Sequence, residues 1–259
     1  MVDPWEPARR FRAFLDSLPR RWRLVLDEPR PGRENMAADL LLLEQGEPAL
    51  RLYGWKPACL SLGRLQKDDW VDRALLAEAG IDLVRRPSGG RALFHGEELT
   101  YALVLPEAGK LGLEEAFRGI TGSLGAALGI LGVPVRQAPA SGTRAAAPPS
   151  RSFPGCHSVA RAGELVDDLG RKLVGSAQVR RGTTMLQHGS IPYRQPWNLL
   201  ARLIPGTEPS IDLFGLGTSA LEIRALAAAL GTVLRVDWNE RAFDNREHRW
   251  LEKHSVPAG

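Results

Sequence analysis

A chain of 259 residues that is 44% hydrophobic and 25% charged can bury a full core, which excludes an extended disordered chain. Its 34 basic residues against 30 acidic ones leave a net charge of +4, a mild excess that favours an acidic protein partner and argues against nucleic acid. Two cysteines, Cys59 and Cys156, make neither a disulfide framework nor a CxxC metal site, and with no apolar run of signal-peptide or transmembrane type a cytoplasmic protein with no membrane association is expected.

Residues 1–20, rich in Pro and Arg, read as a loosely ordered lead-in with a short helix at Phe11 to Leu18, and residues 21–259 as a single domain. Trp22 to Asp27 alternates as a strand. Asn35 is placed to cap a helix from Met36 to Glu44 that stops near Gly46. A strand pair follows, Ala49 to Gly54 and Cys59 to Gly63, around a Trp55-Lys56-Pro57 turn. Trp70 to Ala79 is a helix ended by Gly80, Asp82 to Arg86 a strand, and Pro87 to His95 a hairpin-like stretch. Leu99 to Leu105 is a strand, Leu113 to Leu131 a helix, and Val133 to Val135 a short strand.

Residues 138–155 are a run of Ala, Pro, Ser and Arg with little to bury, and they deliver the chain to Cys156. Glu164 to Val166 and Leu173 to Arg180 are strands around an Asp167-Asp168-Leu169-Gly170 turn, and Met185 to Ile191 comes next. After a Pro-rich connection, Ile223 to Leu230 and Asn239 to His254 are helices. Short strands broken by helices at irregular intervals predict an α+β fold with a central mixed, largely antiparallel sheet flanked by helices.

Within that frame, Gly170-Arg171-Lys172-Leu173-Val174-Gly175-Ser176-Ala177-Gln178 is an odd stretch for a purely structural strand. A lone lysine on a strand is usually a surface charge; here the small residues Gly175, Ser176 and Ala177 would leave an open slot beside the ammonium of Lys172. Cys156 has two readings, a small buried hydrophobe or a nucleophile. Its place at the exit of the Ala/Pro/Ser run favours the nucleophile, and Lys172 could supply the cation that a thiolate needs. Cys59, inside an apolar strand, keeps the bland reading.

Ser88-Gly89-Gly90 after Arg85-Arg86 offers free N–H groups and guanidinium charge to a phosphate or carboxylate, although Gly-Gly in a hairpin is more often only a turn. His95 and His188 each sit near a glycine and a strand end, where a ligand contact and a structural hydrogen bond are both in keeping. His157 points away from its neighbour in an extended chain and is a poor base for Cys156. No spacing of histidines or carboxylates suits a metal, and none is expected.

Six blocks occur in one order: Asn35 to Asp39; Leu52-Tyr53-Gly54-Trp55 with Leu60 to Gly63; Arg85-Arg86-Pro87-Ser88-Gly89-Gly90-Arg91-Ala92; His95 with Glu98 to Tyr101; Gly170 to Gln178; and Leu186-Gln187-His188-Gly189-Ser190-Ile191. Together they resemble the lipoate-protein ligase and octanoyltransferase superfamily, whose catalytic fold is shared with biotin protein ligases, over about residues 22 to 195. Gly89-Gly90-Arg91 in place of a third glycine, Glu98-Leu99-Thr100-Tyr101 after the histidine, and Cys156 eight residues before Glu164-Leu165 are similar to the cysteine-dependent lipoyl(octanoyl) transferases. The aromatic residue usual after that cysteine is replaced by His157.

The resemblance implies octanoyl transfer from acyl carrier protein through a thioester on Cys156 to a lysine of a lipoyl domain or glycine cleavage H protein, by a monomer that needs no cofactor. Lys172 would lower the thiol pKa and help deprotonate the amine, and N–H groups near Gly90 or Gly175 would hold the oxyanion. Leu93, Val174 and Ala177 would line an acyl tunnel. Arg86, Ser88, Gly89, Gly90, Arg91, His95, Gly175, Ser176, Ala177, His188 and Gly189 are the implied substrate-binding set. Cys156 and Lys172 should then face one pocket with Gly89, Gly90 and Gly175.

The runner-up is an ATP- and Mg-dependent lipoate-protein ligase, in which Ser88 to Arg91 and Lys172 bind an acyl-adenylate. A non-catalytic carrier-binding or nucleic-acid-binding module is disfavoured by the intact Lys172 and Gly-Gly-Arg blocks. Biotin ligation is disfavoured by the lack of a Gly-Arg-Gly-Arg type of loop.

Overall fold

The strand Glu98–Leu105 (β6) is buried at every position, and the architecture is assembled around it. The computed structural model describes residues 6–139, 160–207 and 209–255. The elements before β6 are α1 (Glu6–Asp16), β1 (Arg21–Leu26), α2 (Gly32–Gln45), β2 (Ala49–Tyr53), β3 (Cys59–Leu62), α3 (Arg73–Glu78), β4 (Asp82–Arg85) and β5 (Leu93–His95). Those after it are α4 (Leu113–Ile130), β7 (Arg136–Gln137), β8 (Leu165–Val166), β9 (Gly175–Arg181), β10 (Thr184–Pro192), α5 (Trp197–Leu203), α6 (Ile223–Leu234), β11 (Asp237–Glu240) and α7 (Asn245–His254).

A six-stranded sheet has the order β11-β1-β2-β6-β10-β9. Its β11-β1-β2 side is parallel, and every pairing from β2 to β9 is antiparallel. This is the expected mixed α+β sheet. Gly182, with φ +56°, and Thr183 close the β9-β10 hairpin in two residues, because Arg181 pairs with Thr184.

Strand period sorts the side chains. In β6, Leu99, Tyr101, Leu103 and Leu105 pack with α1, α4 and α6 in the main core, whereas Ala102 and Val104 face α2 and its neighbours in a second one. Thr100 shares the face of Ala102, and through the register so do His188, which pairs with Ala102, and Ser190, which pairs with Thr100. A separate three-stranded sheet, β4-β3-β5, packs with α3 and α5 around a third cluster.

Several expectations need correction. Residues 6–20 are no loose lead-in: α1 and the turn after it bury Phe11, Phe14, Leu15 and Leu18 in the main core. Asn35 does not cap α2, which starts at Gly32 behind Pro31; its buried amide donates to the carbonyls of Arg30 (3.1 Å) and Gly54 (3.0 Å). The tertiary demand on that side chain outweighs its capping preference. β2 and β3 are not a pair but enter different sheets. The Pro-rich connection contains α5, and residues 239–254 open as the strand β11 before α7 begins, its cap supplied by Asp244.

Candidate active site

Where the large sheet faces the small one, they border a cavity of about 40 Å³. The large sheet contributes Tyr53, Thr100, Gly175, Ser176, Ala177, His188, Gly189 and Ser190; the small sheet and its turn contribute Ser61, Arg86, Gly90, Leu93 and His95; Met36 and Trp55 complete it. Gly175 and Ala177 pair with Ser190 and His188. Small side chains there keep the cavity open. Gly189 is tighter still: a Cβ on it would lie 2.6 Å from Ser176 Oγ and from Tyr101.

Two chains of buried hydrogen bonds run along the cavity wall. In the first, Ser88 Oγ lies 2.6 Å from His188 Nε2, and His188 Nδ1 lies 2.8 Å from Asp39 Oδ2. The carboxylate of Asp39 also accepts from Arg51 (2.9 Å) and from Tyr53 (3.1 Å). Burial opposes the Arg51 charge, but Asp39 and Asp27 outweigh it and hold its pKa above the usual arginine value. Burial, and then Asp39, push the Tyr53 phenol well up, so it stays a donor.

In the second chain, His95 Nδ1 lies 2.8 Å from Glu98 Oε1 and His95 Nε2 lies 2.8 Å from Ser61 Oγ. Glu98 also accepts from Thr100 (2.5 Å) and Ser190 (2.6 Å), and Thr100 in turn accepts from the Trp55 indole (2.7 Å). Trp55 stacks on the His95 ring at 3.9 Å between centroids. These polar groups satisfy one another, which leaves ring faces and carbon for a ligand in the cavity.

The Gly-Gly turn is held from beneath by Arg86. Its guanidinium donates to the carbonyls of Gly89 (2.9 Å), Arg91 (2.6 Å) and Ser61 (3.0 Å). Gly90, at φ +96°, needs the left-handed freedom of glycine. Among the described residues, the N–H groups of Gly89, Gly90 and Arg91 donate to nothing.

Of the residues singled out in the sequence, Arg86, Gly90, His95, Gly175, Ser176, Ala177, His188 and Gly189 line the cavity. Ser88 is buried behind His188, Gly89 is exposed beside Gly90, and Arg91 is half-buried with its carbonyl on Arg86. Leu93 and Ala177 are in the lining, whereas Val174 is in the main core. Lys172 is buried with Nζ 2.8 Å from Glu164 Oε1 and is not part of the lining formed by the described residues. Cys156 and His157 lie outside the described residues. Cys59 is buried, and burial, then Asp82, push its thiol pKa well up.

Sequence reasoning gave no role to Met36, Trp55, Ser61, Glu98 or Asp39, although each sits in or beside one of the six blocks. Glu98 and Thr100 could have been suspected, as polar residues at the start of an otherwise apolar strand. Among the described residues, no group of three His, Cys, Asp or Glu side chains is placed to hold a metal, and no helix is long and apolar enough to cross a membrane.

Residues 31–211 match the model of the lipoyl protein ligase A/B catalytic domain. The chain is 40% identical over 230 residues to a Symbiobacterium thermophilum protein named octanoyltransferase LipM, covering 85% of this chain and 81% of that protein. A protein of the same name from an Exiguobacterium strain is 38% identical over 181 residues, 66% of this chain and 65% of that one. Among solved structures, a T. acidophilum protein with bound lipoic acid superposes with a TM-score of 0.73 at 22% identity, covering 90% of this chain and 94% of the other.

Proposed function

Because the chain belongs to the lipoyl protein ligase A/B catalytic domain family, we propose that it is an octanoyltransferase of protein lipoylation, working through a thioester on Cys156. Its likeness to proteins named octanoyltransferase LipM supports the acyl transfer and favours it over ATP-dependent ligation. The observation that carries the reading at the level of chemistry is the cavity. Met36, Trp55 and Leu93 give it apolar walls, and it reaches the exposed Gly90.

The donor is an octanoyl thioester of acyl carrier protein. The Cys156 thiolate attacks its carbonyl, and the carrier thiolate leaves with a proton from Lys172. The lysine amine of a lipoyl domain or glycine cleavage H protein then attacks the acyl-enzyme, the C–N bond forms as the C–S bond breaks, and the surplus proton returns to Lys172. Thioester and acyl-enzyme are similar in energy and the amide is more stable, so ATP is not required. The N–H groups of Gly89, Gly90 and Arg91, unpaired among the described residues, are suited to a developing oxyanion.

Incubation with octanoyl carrier protein should place a hydroxylamine-sensitive octanoyl adduct on Cys156, read by peptide mass spectrometry. Transfer that survives Cys156→Ala undiminished would refute the mechanism.

A further inference from the structure

Asp39, His188 and Ser88 form a carboxylate, imidazole and hydroxyl in series, at 2.8 and 2.6 Å. In a hydrolase that series would mark the serine as a nucleophile. Three observations argue for a different task. Ser88 is 1% exposed and is absent from the cavity lining. Asp39 is already engaged by Arg51 and Tyr53, which ties the series to the interior of the large sheet. Ser88 itself opens the turn whose N–H groups at Gly89, Gly90 and Arg91 are unpaired among the described residues.

We propose that Ser88 and His188 are positioning residues: the Asp39–His188–Ser88 series latches the Gly89–Gly90 turn to the large sheet and so holds its N–H groups where the oxyanion of the acyl-transfer intermediate forms. This rests on the octanoyl-transfer reading above and adds to it the support on which the oxyanion site depends. Asp39 is a carboxylate acceptor, so Nδ1 of His188 donates to it, and Nε2 is left to pair with the Ser88 hydroxyl. The turn belongs to the small-sheet side and His188 to β10, so the bond spans the cavity's two walls. Arg86 fixes the same turn through the carbonyls of Gly89 and Arg91, so its hold leaves the N–H side of the turn unused.

Ser88→Ala deletes only the latch oxygen, and His188→Gln is the second variant should that one fold poorly. Kinetics with octanoyl carrier protein should show kcat reduced about 10- to 100-fold, the usual cost of losing an orienting partner, with KM for the donor within about twofold of wild type. Octanal, which forms a tetrahedral thiohemiacetal with the active thiol, should lose affinity by the same factor as kcat, while octanamide, a planar ground-state mimic, should bind as before.

Unchanged kcat in both variants would overturn the latch, as would equal weakening of octanal and octanamide, which would mark a general change of cavity shape. An octanoyl ester found on Ser88 in a Cys156→Ala background would overturn it in favour of a nucleophilic serine. A wild-type protein that transfers no octanoyl group overturns the octanoyl-transfer reading and the latch with it, whereas active wild type with an unimpaired Ser88→Ala overturns the latch alone.

Discussion

Arg51 is fully enclosed and stays charged because the carboxylates of Asp27 and Asp39 lie 2.8 and 2.9 Å from its guanidinium nitrogens, with Asn35 Oδ1 accepting a further bond at 2.6 Å. Removing one partner strands the others. Arg51→Met should therefore cost about 3–5 kcal/mol, the usual penalty for uncovering a buried charge, seen as a lower denaturant midpoint. Cys59 makes a second residue-scale prediction: its buried thiol, with a raised pKa, should resist iodoacetamide in the native protein at neutral pH, while Cys156 reacts. Peptide mass spectrometry of the alkylated protein reads both. His95, His188 and Gly90, picked out by local cues beside glycine or at a strand end, do line the cavity. Asp39 was given no role, because its partner His188 comes from a strand far along the chain; Glu98, bonded to His95 and Thr100 close by, showed only as a polar residue at the head of an apolar strand.

Two elements carry the geometry of the site, the Gly-Gly turn and the loop that follows β3. Gly63 packs so closely on the turn that a Cβ there would meet the carbonyl oxygen of Gly90 at 2.0 Å, and backbone cannot rotate away. Gly63→Ala should displace the turn and lower octanoyl transfer at least about tenfold, since small misplacements of this kind are costly, with the circular dichroism spectrum retained. At the other side of the molecule, α1 is fastened by Phe11, whose ring sits against Gly119 of α4 and would lie 2.2 Å from a Cβ placed there. Phe11→Ala should cost about 3–5 kcal/mol, measurable by urea unfolding, if the helix belongs to the core as its burial shows. The Pro- and Arg-rich composition of residues 1–20 hid this. Phe11, Phe14, Leu15 and Leu18 have helical spacing, but composition was given more weight than period.

On the scale of the whole molecule, a large mixed sheet and a small three-stranded one close on a cavity, and the six sequence blocks fall mostly on the strands and turns that face it. The order of the blocks made the family and fold legible. The separation into two sheets was not, because β2 and β3 are both apolar strands joined by a short turn and look like a hairpin. The far end of the large sheet is tied to α7 by Arg23 and Glu247 at 2.7 Å. Burial works against the Glu247 charge, but Arg23, Gln45 and the backbone of Asp244 overcome it and bring its pKa from 4.5 down to about 2. A depressed carboxylate stabilises the fold above its unfolded pKa and loses that contribution as pH falls towards the folded one. Thermal midpoints should therefore decline between 4.5 and about 2, and Glu247→Gln should flatten that part of the decline.

The most direct test of the central claim is octanoyl transfer from octanoyl carrier protein to a lipoyl domain, in the absence of ATP, by wild type and Cys156→Ala. The account predicts ATP-independent transfer by wild type and none by the variant. Transfer that requires ATP and free lipoate or octanoate, and that Cys156→Ala supports equally well, would contradict it.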